Sequence, residues 1–340
     1  MAKKLTTVLV GCGGVSRAWL GSIAALPGVT VAGLVDIREG AAQACADEFK
    51  LKGASAGTDL KAMLKAVKPD MVFDCTVPEA HCGVVTEALR HGCHVLGEKP
   101  LADSMENARR MVAAARRADR LYAVMQNRRF DNRIRAYQGL IHSGTLGDLT
   151  TLNCDFYIGA HFGGFRDHMK HVLLLDMAIH TFDAARFISG CDAVSVYCRE
   201  WNPRGSWYDH DASAVAMFEM TNGVVYTYRG SWCSEGLGTT WECDWRAICT
   251  RGSSKWNGGD AFVTERATGD AGFVRPYEPV EVKVNPKAPH GGHAGLIADF
   301  VRCVRAGRTP ETAASDNIRS LAMVFAAIES AETGKPVRIR

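Results

Sequence analysis

The segment Gly11-Cys12-Gly13-Gly14-Val15-Ser16 follows an apolar, β-branched run and opens a helical stretch. In that setting Gly11 can turn sharply, Gly13 lets a pyrophosphate approach the backbone, and Ser16 is a small residue where the helix must pack. Gly14 and Val15 complete the turn, and the N–H groups and partial positive charge of the helix N-terminus favour phosphate oxygens. Asp36 lies 25 residues after Gly11, at the end of the next apolar run. That is near the spacing at which a carboxylate accepts hydrogen bonds from adenosine ribose hydroxyls. A carboxylate repels a 2′-phosphate, so the pattern predicts NAD; Arg38, two residues on, could offset the repulsion and keeps NADP open.

A second set of residues suits proton transfer. Oxidising a secondary alcohol requires a group that takes the hydroxyl proton while hydride leaves the same carbon. Lys99 follows the fifth apolar run, and strand carboxyl ends line the cofactor crevice of open α/β sheets. Asp176 and His180 are four apart in a segment of helical pattern, so both project from one face, a turn from each other. An imidazole with an ordinary pKa near 6.5 suits proton transfer near neutral pH. Either Lys99 or His180 could accept the proton.

These residues stand in a recognisable order. Gly97-Glu98-Lys99-Pro100, the glycine turn, Thr76-Val77-Pro78-Glu79-Ala80-His81, Gln126-Asn127-Arg128-Arg129-Phe130, Leu175-Asp176-Met177-Ala178-Ile179-His180 and the closing helix to Gly334 resemble the glucose-fructose oxidoreductase and inositol dehydrogenase (Gfo/Idh/MocA) family. The resemblance implies a Rossmann domain followed by a domain built on a mostly antiparallel sheet, with the substrate held between that domain and the nicotinamide. It places Thr76, Pro78, His81, Glu98 and Lys99 beside the cofactor. It makes His180 the acid/base and Asp176 its substrate-binding or orienting neighbour, lets Lys99 contact the reacting hydroxyl, and gives Glu98 and Pro100 a part in positioning it. Asn127, Arg129, Tyr157, His161 and Arg166 lie on segments that the family brings near the substrate, and are expected to bind it. One departure concerns the pocket: His168-Met169-Lys170-His171-Val172 stands where small residues are expected.

The same stretch raises a metal reading, because His161, His168, His171 and His180 lie near Asp167 and Asp176. Their spacing matches no standard zinc pattern, so no metal is assigned. Six of the seven tryptophans fall between Trp201 and Trp256, where sheet core or a subunit interface is the ordinary use of such rings.

The elements that must position these groups follow from periodicity. Short apolar runs at 6–10, 29–35, 71–75, 94–96 and 121–125 alternate with helical stretches opening near Ser16, Glu39, Thr58, Glu79 and Asp103. Such alternation predicts a parallel sheet with right-handed crossovers, an α/β cofactor domain over 1–126. Beyond it an α+β domain is expected over 127–340. It has helices at 132–142 and about 171–189, a strand from Leu149, and strands at 193–199, 212–220 and 224–229, the last two joined by Thr221-Asn222-Gly223 as a tight hairpin. Helices at 294–306 and 316–333 close the chain near the domain junction. No linker separates the domains, which are expected to abut.

Bulk properties set the limits. A chain of 340 residues exceeds the size of one hydrophobic core, which favours two domains. Forty Lys and Arg against 37 Asp and Glu leave +3, too little for a nucleic-acid or anionic-membrane partner. The start carries no apolar export segment, no run of about 18 apolar residues occurs, and twelve scattered cysteines without a CxxC pair read as reduced thiols. The expectation is a cytoplasmic enzyme acting on a small carbohydrate or polyol, assembled as a homodimer or homotetramer through the uncovered face of its antiparallel sheet. Family members also include enzymes that retain NAD and epimerise or cleave glycosides by transient oxidation. A nicotinamide-binding redox sensor is a further reading, disfavoured because a sensor needs neither Lys99 nor His180.

Overall fold

A computed structural model of the chain describes residues 4–286 and 291–339. It divides into two compact units: Met1–Asn127 with Pro289–Leu321, and Arg128–Ala288 with Ala322–Arg340.

The first unit alternates strand and helix: β1 (Leu5–Val10), α1 (Ser16–Ala24), β2 (Val29–Val35), α2 (Ala41–Glu48), β3 (Ser55–Gly57), α3 (Leu60–Val67), β4 (Met71–Asp74), α4 (Pro78–Arg90), β5 (His94–Gly97), α5 (Met105–Ala118) and β6 (Tyr122–Val124). The strands form a parallel sheet in the order β3-β2-β1-β4-β5-β6. Its strands are nearly continuous apolar runs because helices cover both faces of a parallel sheet. Local chemistry sets the helix starts. Asp59 accepts the Ala62 N–H at 3.0 Å and Ser104 the Asn107 N–H at 3.2 Å, and Pro78 occupies the first turn of α4. The chain order reverses between β1 and β4, and the carboxyl ends of these two strands carry the glycine turn and the Thr76 loop.

The second unit holds α6 (Asn132–His142), β7 (Leu149–Tyr157), a π-helical turn (Leu173–Ala178), α7 (Ile179–Ser189), β8 (Ala193–Trp201), β9 (Ser213–Met220), β10 (Val225–Ser231), β11 (Asp244–Cys249), β12 (Gly252–Trp256), β13 (Phe262–Ala267) and β14 (Tyr277–Pro279). After it α8 (Gly292–Ala306) belongs to the first unit, the unit boundary falls within α9 (Ala314–Thr333), and β15 (Val337–Arg338) rejoins the second sheet. That sheet runs β14-β13-β12-β11-β7-β10-β9-β8-β15 and is antiparallel except for the parallel pair β7 and β10. Asn222 (φ 62°) and Gly223 (φ 74°) make the left-handed turn between β9 and β10. One face is buried: Phe182 of α7 meets Phe218, Tyr226 and Tyr228 edge-on. The opposite face is open.

The structure adds to the sequence expectation in the following ways. The cofactor unit is not the segment 1–126 alone, because α8 packs on α1, Phe300 meets Phe73 at 6.3 Å, and the Val124 N–H donates to the Thr312 carbonyl at 3.0 Å. The helix expected over 171–189 begins as a π-helical turn, a form found mostly in short pieces and frequently at functional sites.

Candidate active site

In the first unit the glycine turn is held from several sides. Gly11 has φ 88°, and a Cβ there would lie 2.7 Å from the Cys75 carbonyl carbon and oxygen, so only glycine fits between β1 and the Cys75-Thr76 backbone. A Cβ on Gly13 or Gly14 would meet nothing within 4 Å, which leaves their backbone open to an approaching group. Ser16 is fully buried and donates to the Gly13 carbonyl at 2.6 Å. Val15, at the helix start, is exposed.

Asp36 closes the other side. Its Oδ2 accepts the Cys12 N–H at 2.8 Å, and its carboxylate takes the Arg38 N–H, Nε and Nη2 at 2.9–3.1 Å. Burial opposes its ionisation, but hydrogen bonds from the Arg38 side chain and backbone and from Cys12 prevail and hold the carboxyl below its ordinary pKa. Open glycine backbone, a helix N-terminus and an ionised carboxylate at the end of β2 are the donor and acceptor set that a dinucleotide requires.

The residues expected around the nicotinamide divide into displayed and buried. Thr76 and Pro78 are half-buried on the turn, and Lys99 is half-buried after β5, joined to Pro100 by a cis peptide. His81 is only 1% exposed; its Nδ1 lies 2.9 Å from Asp74 Oδ2, while Asp74 Oδ1 accepts the Thr76 N–H and hydroxyl at 3.0 and 2.6 Å. The ring is buried, where with Asp74 it fixes the Thr76 turn. Desolvation lowers the His81 pKa, and the buried Asp74 charge more than reverses this, leaving it raised. Glu98 is likewise directed inward. Its carboxylate accepts the Trp19 indole N–H at 2.7 Å and the Lys99 backbone N–H at 3.1 Å. It holds the Lys99 backbone.

In the second unit, Asp176 and His180 are half-buried residues in a stretch where Val172–Leu174 and Met177–Ile179 are buried. The π-helical turn ends at Ala178, and α7 carries His180 onward. Arg166 Nε donates to Asp176 Oδ2 at 2.7 Å, and its guanidinium lies 4.9 and 4.7 Å from the ring centroids of Phe162 and Phe165. His161 is exposed, stacks on Trp207 at 3.7 Å and contacts Glu235 at 2.8 Å.

Two further expected residues have other surroundings in the second unit. Arg129 is 7% exposed and makes a bidentate pair with Asp183, both bonds 2.7 Å, so its charge is satisfied in the core. Tyr157 alternates with Phe156 along β7; Phe156 is in the core with Trp232, and Tyr157 shares the open face with Asn153 and Asp155, away from α7. Asn127, at the end of the first unit, is 3.3 Å from His293 Nδ1.

The structure also brings in residues that sequence spacing does not reveal. Trp19 anchors Glu98 across 79 positions. His293 Nε2 sits 4.0 Å from Glu98 Oε1, and Arg17 donates to the Cys12 and Gly13 carbonyls at 2.9 and 2.7 Å, bracing the glycine turn. The single available signal concerns Trp19, an apolar ring on the first helix after the turn, whose buried face must meet the sheet; Arg17 lies on the exposed side.

Comparison with known proteins agrees with this fold. Residues 5–126 match the family described as an oxidoreductase family with an NAD-binding Rossmann fold, and residues 134–255 match the GFO/IDH/MocA C-terminal domain. The chain is 27% identical to the uncharacterized protein y4oX of Sinorhizobium fredii, over 97% of this chain and 94% of that one. It is 25% identical to a D-apiose dehydrogenase of Paraburkholderia graminis, over 99% and 90%. An oxidoreductase from Agrobacterium radiobacter, solved with NAD+, L-tartaric acid and magnesium, superposes with a TM-score of 0.88 at 22% identity, covering 99% of both chains. The chain thus belongs to the GFO/IDH/MocA oxidoreductase family, its first unit an NAD-binding Rossmann fold.

Proposed function

We propose that the protein oxidises a secondary hydroxyl of a sugar or polyol, or reduces the corresponding ketone, with NAD as hydride carrier. The observation that carries this reading is the pair Asp176 and His180, half-exposed within a buried apolar run and four residues apart along the π-helical turn and α7. The dehydrogenase activity named for the Paraburkholderia relative and the hydroxy-acid ligand of the Agrobacterium structure support the substrate class.

Gly11, Gly13, Gly14 and Val15 would hold the pyrophosphate and Asp36 the adenosine ribose, with Arg38 moving off the carboxylate to admit it. NAD, when bound, accepts the hydride leaving the carbinol carbon. The chain's own residues handle the proton and the charge. His180 takes the hydroxyl proton, so that oxygen keeps both bonding electrons and forms the carbonyl as hydride departs. Asp176 accepts a hydrogen bond from a neighbouring substrate hydroxyl, and Arg166 sets its orientation. Lys99, with its backbone fixed by Glu98, stabilises negative charge on the reacting oxygen.

The same reading places the protein in a reducing compartment, the cytoplasm: all twelve cysteines are free and eleven are buried. Among the described residues no helix is long and apolar enough to cross a membrane. We further propose a homodimer or homotetramer through the open sheet face, where Val215 and Met217 are exposed beside a groove of about 770 Å³ flanked by Asp155, Arg229, Arg246 and Lys255. Incubation with NAD and cyclic polyols, aldoses, sugar acids and glycosides tests the activity. Net formation of reduced nicotinamide with one class supports a dehydrogenase. Product without net reduction points to retained-cofactor chemistry, and neither product nor reduction across the panel contradicts the reading.

A further inference from the structure

The histidines that sequence groups together before Asp176 do not converge on one point. Each pairs with a carboxylate on a different element of the second unit: His161 with Glu235 at 2.8 Å, His168 with Asp209 at 2.5 Å, and His171 with Glu200 at 2.6 Å. Between them the segment carries Arg166, which pairs with Asp176. The first two pairs are exposed, where an ion pair contributes little. The third is different in kind.

His171 has φ 52°, a left-handed conformation unusual for a residue other than glycine, asparagine or aspartate. Its Nδ1 meets Glu200, whose side chain is 1% exposed on β8, and its Nε2 lies 3.5 Å from Glu332 on α9. Its carbonyl accepts the Leu175 N–H at 2.9 Å at the start of the π-helical turn. One residue thus ties β8 and α9 to the turn that carries Asp176, and does so from a backbone conformation that needs holding.

We propose that His171 is a positioning residue: its imidazolium, clamped between Glu200 and Glu332, holds the π-helical turn Leu173–Ala178 and thereby sets Asp176 and its partner Arg166. The kinetic part of this inference rests on the reading of Asp176 as a substrate-binding group; the conformational part does not. Glu200, Glu332 and Asp211 are the charged groups that face the ring. The Glu200 hydrogen bond raises the His171 pKa above its ordinary 6.5, whereas burial raises that of Glu200, with His171 opposing. The clamp joins opposite charges only where the imidazole is protonated and the Glu200 carboxyl ionised. Because the folded imidazole pKa lies above the unfolded one, the His171 contribution is lost as pH rises through the folded value.

Amide hydrogen exchange on the full-length protein, referenced to intrinsic rates at each pH, tests this without a substrate. Exchange of Leu173–Ala178 should be slow near neutral pH and accelerate by about tenfold as the imidazole deprotonates, while the Rossmann strands stay protected. His171→Asn keeps a side-chain donor and a residue tolerant of the left-handed backbone but cannot titrate, so its alkaline step should vanish. His171→Leu should exchange fast at every pH and still bind NAD as wild type, which separates loss of the clamp from failure to fold. Wild-type protection without an alkaline step, or an alkaline step surviving in His171→Asn, overturns the proposal. Turnover in Asp176→Asn bears instead on the catalytic reading: if that variant turns over normally while the exchange pattern holds, the clamp stands and the role of Asp176 falls.

Discussion

Trp19 donates its indole N–H to Glu98 across 2.7 Å, linking the helix of the phosphate-binding turn to the residue that precedes Lys99. Both partners are buried, and Glu98 also accepts the Lys99 amide. A hydrogen bond to a buried charged group contributes about 1.5–3 kcal/mol. Trp19→Phe should therefore lower thermal stability by about 2 kcal/mol and reduce kcat more than it raises KM. Denaturant titration beside steady-state kinetics checks this; unchanged kcat would show that Glu98 does not act through Lys99.

Arg129 offers a contrast, because its resemblance-derived role and its structural environment point in different directions. With its guanidinium forked onto Asp183 in the core, Arg129→Met removes a buried bidentate ion pair, at a cost of about 3–5 kcal/mol. The protein that remains folded at low temperature should keep a wild-type KM for substrate. A large KM increase at full folding would return Arg129 to the substrate.

Asp36 provides a pH test. Its folded pKa lies below the ordinary 3.8, so its stabilisation is present above that value and lost as pH falls through the lowered one. Asp36→Asn should flatten the acid limb of stability against pH and weaken NAD binding by about ten- to a hundredfold, with less effect on NADP. Calorimetric titration of both cofactors checks the second part, and equal loss for both would remove Asp36 from ribose recognition.

The sequence and the structure agree where chemistry is local. The glycine turn, the strand–helix alternation and the Asn222-Gly223 hairpin are legible because each rests on backbone preferences written within a few residues. The three-residue β3 is missed because Ser55-Ala56-Gly57 has neither the length nor the β-branched content of a strand. The π-helical turn shows the same apolar spacing as an α-helix, so residue pattern alone does not distinguish the two. His81, Glu98 and Arg129 have the residue types of a site, yet each points inward, because Asp74, Trp19 and Asp183 lie where the sheet topology brings them. Residue type identifies chemistry; the long-range partner decides whether it is displayed.

The most direct test of the central claim compares wild type with His180→Ala and Lys99→Met, measuring NAD affinity by fluorescence and turnover on the substrate class that the panel identifies. If His180 takes the hydroxyl proton and Lys99 stabilises the reacting oxygen, turnover should fall by about 10²- to 10⁴-fold in each variant while NAD binds as in wild type. Wild-type turnover in either variant would contradict the account.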